Sequence, residues 1–338
     1  MKAICIPKPW DVVSREFDKP QAGAEQALIQ VKSVGICGSD LPAFRGSNPL
    51  VSYPRIIGHE VAGEIVSIPG NNPQNLKPGD RVIVDPYLFC GICYPCSIGR
   101  TNCCTNLQVI GVHVDGGMCE YLAHPAHMLH KLPDTISWDV APIAEPLTIA
   151  LHGIHRGRLA KGEHIAIFGA GPIGLLATMV AVHYGAIPTM IDVVDERLKI
   201  ARQLGAAATI NPLKEDIESK IRDITRGHMC QVVMEASGAT QAVLDTLKVV
   251  SHAGRVVLTG WPKEDIPMPT ALITKKEIDI CGSRTSAGEF AEAIALIADG
   301  KVNTDVILTE TISLDKAPEM LRQIEREPGR YLKVHVLF

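Results

Sequence analysis

The stretch His164-Ile165-Ala166-Ile167-Phe168-Gly169-Ala170-Gly171-Pro172-Ile173-Gly174-Leu175-Leu176 passes from an apolar strand through a glycine turn into an apolar helix. Gly169, Gly171, Pro172, Ile173 and Gly174 supply the spacing G-x-G-x-x-G, which is weak alone but informative between a strand and a helix. The first glycine makes the turn and the second lets backbone amides approach a pyrophosphate. The third lets helix and strand pack closely, and the helix dipole favours the anion. Residues 165–182 carry no charge over eighteen positions, the length of a membrane helix. Three glycines and Pro172 inside that span make strand, turn and helix the better reading, so no membrane span is expected.

Reading outward, the apolar run 189–191 ends at Asp192, eighteen residues past Gly174. A carboxylate there accepts hydrogen bonds from the adenosine ribose and repels a 2′-phosphate, so NAD is expected rather than NADP. The alternative for Asp192 is a cap on the next helix. Arg197, five residues on, either covers the adenine or faces solvent. Further buried strands are expected at 231–235, 255–259 and 277–281, with a helix at 241–250. Strands alternating with helices define βαβ units and a parallel sheet, hence an α/β fold. Residues up to about 145 read differently, as short β segments (27–31, 61–68, 81–84) broken by Gly and Pro. The last fifty residues, with a helix at 289–298 and a strand at 332–337, match that first region better than the second.

At 338 residues the chain is long enough for two domains. Apolar residues make up 46% and charged residues 21%, a globular balance. The net charge of −4 and the absence of basic runs argue against a nucleic-acid protein. The N-terminus has no apolar core or cleavage pattern, and a cytoplasmic protein is expected.

Cys90, Cys93, Cys96 and Cys104 follow C-x2-C-x2-C-x7-C. Four thiolates at such spacing suit a closed tetrahedral zinc site that stabilises a lobe and does no chemistry. An iron–sulfur cluster begins with similar spacing, but the long final gap and the lack of a proline after Cys104 favour zinc. Cys103 is an alternative fourth ligand. A second set is Cys37 in Gly35-Ile36-Cys37-Gly38-Ser39-Asp40, His59 and Glu60 in Gly58-His59-Glu60, and Glu145 in Ala144-Glu145-Pro146. Mixed thiolate, imidazole and carboxylate donors are the set of catalytic zinc, which keeps one position open.

The order of these motifs resembles the zinc-dependent medium-chain alcohol and polyol dehydrogenases over essentially the whole chain. The resemblance implies a GroES-like, β-rich catalytic domain (1–148, completed by 287–338) and an inserted Rossmann NAD-binding domain (149–286). It also implies two zinc ions, the catalytic one on Cys37 and His59 with Glu60 or Glu145 as the further carboxylate, and Ser39 as the hydroxyl that passes on the substrate proton. Three positions beyond that hydroxyl the family often has a histidine that ends the proton relay; here stands Pro42, which carries no proton.

Residues 46–49, 53–55, 99–104, 109–113, 115–117 and 282–284 are similar to the L-galactonate and L-gulonate 5-dehydrogenase branch. That likeness implies a sugar-acid substrate, with Arg284 near its carboxylate; the alternative for Arg284 is a structural role bonding backbone. The alternative is a general, sorbitol-like polyol dehydrogenase. His113 and His152 are weaker substrate-contact candidates, a structural role being the favoured reading for each. A homo-oligomer, dimer or tetramer, is expected on the same resemblance.

Overall fold

The computed structural model describes every residue of the chain except Asn71. His164–Phe168 lies inside a six-stranded parallel sheet. The spatial order is Ala208–Ile210, Ile187–Ile191, His164–Phe168, Cys230–Glu235, Val250–Leu258, Asp279–Gly282. Numbered along the chain this is 3-2-1-4-5-6, the doubly wound order with its switch point beside the glycine turn. Strands covered on both faces read as continuous apolar runs, and Ile165, Ala166 and Ile167 are fully buried, as are Val232, Val233 and Met234. The helix Pro172–His183 buries every residue from Gly174 to Ala181, which is why it shows no amphipathic stripe. Among the described residues no helix is long and apolar enough to cross a membrane.

One strand is longer than expected. Val250–Leu258 starts where the helix Thr240–Val249 ends, five residues before the expected onset at 255. Ala253 takes φ +53°, and the pairing register shifts between Cys230 and Val232, so a bend hides the first half of the strand from a periodicity reading. These elements belong to a unit of Pro146–Glu289 and Gly300–Asn303.

The other unit comprises Met1–Glu145, Phe290–Asp299 and Thr304–Phe338. Its larger sheet runs Leu129–Lys131, Arg81–Val84, Glu60–Ser67, Gln26–Ile36, Lys333–Leu337, Leu308–Ser313, and Tyr121–Pro125 also pairs with Gln26–Ile36. A smaller sheet holds Asp11–Glu16, Lys2–Lys8 and Arg55–Ile56. Inward positions of Gln26–Ile36, such as Ala27, Ile29 and Val31, pack with Val61, Val82 and Val336 in one core. Register then sets the chemistry: His335 pairs with Gly35, and Gly35 pairs on its other side with Glu60. The antiparallel pair Tyr87–Leu88 and Gln108–Val109 carries the cysteine lobe between its strands.

Candidate active site

Within the parallel unit, Gly169 follows the central strand and Gly171 precedes the helix Pro172–His183, with Pro172 and Ile173 half-buried in its first turn. A Cβ on Gly174 would stand 1.9 Å from the Gly169 carbonyl oxygen, so only glycine allows this helix to approach the turn. Asp192 ends its strand with one carboxylate oxygen accepting from the Ala170 amide (2.6 Å) and the other from the Val194 amide (2.8 Å). The carboxylate is thereby fixed beside the glycine turn. Both line a cavity of about 850 Å³ with Ser237, Lys214 and Gln241. Arg197 is half-buried on the helix Asp195–Gln203 and is not part of that wall. Arg284 is exposed, just after the edge strand Asp279–Gly282.

Two histidines have structural partners. His152 Nδ1 lies 2.8 Å from the buried Glu289 carboxylate, with His155 on the same oxygen. Burial opposes the charge of Glu289, but these two imidazoles outweigh it and hold the carboxyl down at about 2. His113 Nδ1 accepts from the Val109 amide, tying its own loop. The segments 53–55 and 115–117 likewise meet structurally: Arg55 bonds Asp115 at 3.0 Å and Ser52 at 2.7 Å.

In the lobe, the sulfurs of Cys93 and Cys96 are 3.4 Å apart, Cys90 and Cys104 3.5 Å, and Cys93 and Cys104 3.8 Å. Zinc–sulfur bonds of about 2.3 Å in a tetrahedron place sulfurs about 3.8 Å apart, so the four fit zinc. Cys104, not Cys103, completes the group, and all ten cysteines are free of disulfides. Backbone amides of Ile92 and Cys93 lower the Cys90 thiol, and those of Thr105 and Cys96 bring Cys93 to about 6, favouring thiolates at these two, whereas desolvation and the Cys93 thiol push Cys96 up to about 12.

The second group brings Cys37, His59 and Glu60 together, with their donor atoms all within 4.8 Å of one another. Cys37 lies just past the end of Gln26–Ile36, and Glu60 begins the neighbouring strand with His59 immediately before it. The buried Asp40 carboxylate accepts from the Cys37 amide at 2.8 Å and holds the bend. Burial opposes a charge on His59, yet Cys37, Asp40 and Glu145 outweigh it and raise its pKa well above the ordinary value. Buried His59 Nδ1 and Glu60 Oε2 have no hydrogen-bond partner among the described residues. A group of sulfur, imidazole and carboxylate donors with an unsatisfied buried oxygen fits a divalent zinc ion.

Glu145 lies outside that set of three, yet close enough for its charge to raise His59. It is buried at the start of the helix Ala144–Arg156, and its Oε1 accepts from the Tyr87 hydroxyl. Burial pushes its carboxyl up to about 7. Of the two carboxylates expected at the metal, Glu60 is therefore the one within the donor cluster. Ser39 is exposed, its Oγ 3.5 Å from His59 Nε2. Pro42 sits in the first turn of the short helix Asp40–Arg45, where a missing N–H costs no hydrogen bond.

Sequence reading missed Lys333, whose ammonium pairs with Glu60 Oε1 while both side chains are buried. Burial opposes its charge, but Glu60 and Cys37 raise its pKa above the ordinary lysine value. The signal was available: Lys333 and His335 alternate inside an otherwise apolar strand, placing an ammonium and an imidazole on one buried face. The role of Asp40, which closes the Cys37-Gly38-Ser39-Asp40 motif, was also missed, as was Tyr87, which nothing in its local sequence marks.

A doubly wound sheet with a dinucleotide turn, a four-cysteine lobe and a Cys–His–Glu metal group define a metal-dependent dinucleotide oxidoreductase. Comparison with known proteins agrees. Residues 23–134 match the Alcohol dehydrogenase GroES-like domain, and residues 172–299 match the Zinc-binding dehydrogenase family. An uncharacterized zinc-type alcohol dehydrogenase-like protein of Haemophilus influenzae is 52% identical over 100% of this chain and 99% of its own. The L-galactonate-5-dehydrogenase of Escherichia coli is 38% identical over 91% of each. An alcohol dehydrogenase of Escherichia coli CFT073, solved with NADH, superposes with a TM-score of 0.93 at 34% identity, covering 100% of this chain and 99% of that one. The chain belongs to the zinc-dependent medium-chain alcohol and polyol dehydrogenases, and is an oxidoreductase acting on CH–OH groups with a nicotinamide cofactor and zinc.

Proposed function

We propose that this chain oxidises the C5 hydroxyl of a six-carbon sugar acid, L-gulonate or L-galactonate, to the keto-hexuronate (fructuronate or tagaturonate) with NAD. The observation that carries the reading is the 38% identity to the L-galactonate-5-dehydrogenase over 91% of both chains. In this reading residues 1–148 with 287–338 form the catalytic domain, and 149–286 the NAD-binding domain. Cys90, Cys93, Cys96 and Cys104 hold a structural zinc, and Cys37, His59 and Glu60 hold the catalytic one. Asp192, pinned by two amides, presents a fixed anion that favours the ribose diol of NAD over a 2′-phosphate. The protein works as a cytoplasmic homo-oligomer.

Bound zinc supplies Lewis acidity, which lowers the pKa of a substrate hydroxyl. Ser39 would accept the hydroxyl proton; NAD, held at the Gly169–Gly174 turn and Asp192, would supply the hydride acceptor. Because Ser39 is exposed and Pro42 offers no acceptor, the proton passes from Ser39 to water. Glu60, held by Lys333, keeps its charge in the buried pocket. Arg284 pairs with the hexonate carboxylate.

The deciding experiment follows NADH formation by zinc-replete protein on L-gulonate, L-galactonate, D-gluconate, sorbitol, xylitol and threonine. Turnover confined to one or two hexonates is expected. Turnover on neutral polyols instead discards the carboxylate pocket. Arg284→Ala is expected to raise KM for the hexonate by about 10–100-fold, the loss of one charge-assisted bond. An unchanged KM removes Arg284 from the substrate.

A further inference from the structure

The Lys333–Glu60 pair is built by three neighbouring strands. Val334 pairs with Ile36, so Lys333 falls at the register position opposite Cys37. On the other side of Gln26–Ile36, Gly35 pairs with Glu60. A Cβ on Gly35 would stand 1.8 Å from Glu60 Oε2, so the carboxylate occupies space that only a glycine leaves free. The side chains of Lys333 and Glu60 are 3% and 0% exposed. The two oxygens of Glu60 have different surroundings: Oε1 takes the ammonium, and buried Oε2 has no hydrogen-bond partner among the described residues.

A carboxylate can give a metal one oxygen or two, and two would fill the position a substrate needs. We propose that Lys333 is a positioning residue of the metal centre: by occupying Oε1 it restricts Glu60 to a single oxygen toward the metal and keeps a coordination position open. The inference rests on the reading of Cys37, His59 and Glu60 as a metal centre. The Gly35 recess and the ammonium act together, one making room for the carboxylate and the other fixing its rotation. Partners of this kind, one bond removed from a metal, typically change metal affinity or activity by about 10–100-fold when lost.

The test uses the full-length protein with cobalt(II) exchanged for zinc, because the visible absorption of cobalt reports its coordination number. Wild type should bind two cobalt ions per chain. Lys333→Met should weaken the visible bands of the Cys37–His59–Glu60 ion, as four-coordinate cobalt becomes five-coordinate. Lys333→Arg, which keeps the charge, should retain the wild-type bands. An unchanged spectrum in Lys333→Met overturns the proposal.

Lys333→Met leaves Glu60 as an unpaired buried charge and is at risk of not folding. The pair Glu60→Gln and Glu60→Gln/Lys333→Met covers that case, since the double variant has no buried charge at these two positions. If Lys333 acts through Glu60, those two spectra are the same; if they differ, the proposal falls. Only one cobalt per chain in wild type, held by the four cysteines, would instead overturn the metal-centre reading beneath it.

Discussion

The two donor clusters of the mostly antiparallel unit (Met1–Glu145, Phe290–Asp299 and Thr304–Phe338) are built in opposite ways. The cysteine lobe draws four sulfurs from fifteen consecutive residues, Cys90 to Cys104. The second cluster draws on Cys37, His59 and Glu60 from two paired strands, and on Lys333 from a strand near the far end of the sequence. A local cluster depends on its metal for shape, because little else orders so short a loop. A cluster laid across a sheet inherits its shape from the strand register. The first should therefore respond to damage as a structure, and the second as a chemistry.

The largest effect expected is in the lobe. Cys96→Ser should cut bound zinc from two ions to one per chain and expose residues 89–109 to proteolysis, because structural zinc supplies about 10–16 kcal/mol of apparent binding energy in small zinc domains. A protease-resistant lobe with one zinc missing would erase the contrast. Next, Cys37→Ser should lower turnover by about 10³-fold or more, as several kcal/mol of Lewis-acid stabilisation disappear. NAD binding and thermal stability should change little, and a large drop in melting temperature would show that this cluster is structural too.

A third effect compares the two units in acid. Burial pushes His124 and His130 of the antiparallel unit down to about 4. Their neutral forms stabilise the fold fully above the ordinary imidazole value of about 6.5, and that stability is lost as pH falls toward 4, at most about 3 kcal/mol each. In the parallel unit, Glu289 is held at about 2, so its contribution survives until pH falls from about 4.5 to 2. Hydrogen exchange at pH 5 should find the antiparallel unit loosened first; equal loosening would contradict the assignment. The smallest effect is on cofactor choice. Asp192→Ala should shift the NAD-to-NADP preference by about 10–100-fold, or about 1.4–2.7 kcal/mol. Because Asp192 also bonds two amides of the turn, NAD affinity itself should fall, and an unchanged preference would leave it only that structural role.

What the sequence discloses follows the same division. The strand at 164–168, the glycine turn and the four cysteines are local patterns, and the α/β fold with its parallel sheet follows from them. Asp192 is legible because its spacing from Gly174 is set by one βαβ unit. Lys333 is not, because its meaning depends on register across three strands and nearly 300 intervening residues. Glu145 and Glu60 read alike as motifs, and only packing separates them: Tyr87 bonds one while Cys37 and His59 adjoin the other. Segments 53–55 and 115–117, suggestive of a substrate class, meet as the Arg55–Asp115 ion pair.

The place of Lys333–Leu337 in the sheet also sets a timetable for synthesis. Cys37, His59 and Glu60 leave the ribosome early, but the strand that flanks Gln26–Ile36 and delivers the balancing ammonium comes almost 190 residues after Glu145. At ~5–20 residues per second that interval is about 10–40 s. Throughout it the nascent chain carries an open strand edge next to Cys37 and a carboxylate whose ammonium partner has not been made, while the parallel unit is made and can fold. The Cys37–His59–Glu60 cluster is thus among the last parts of its unit to receive all of its neighbours.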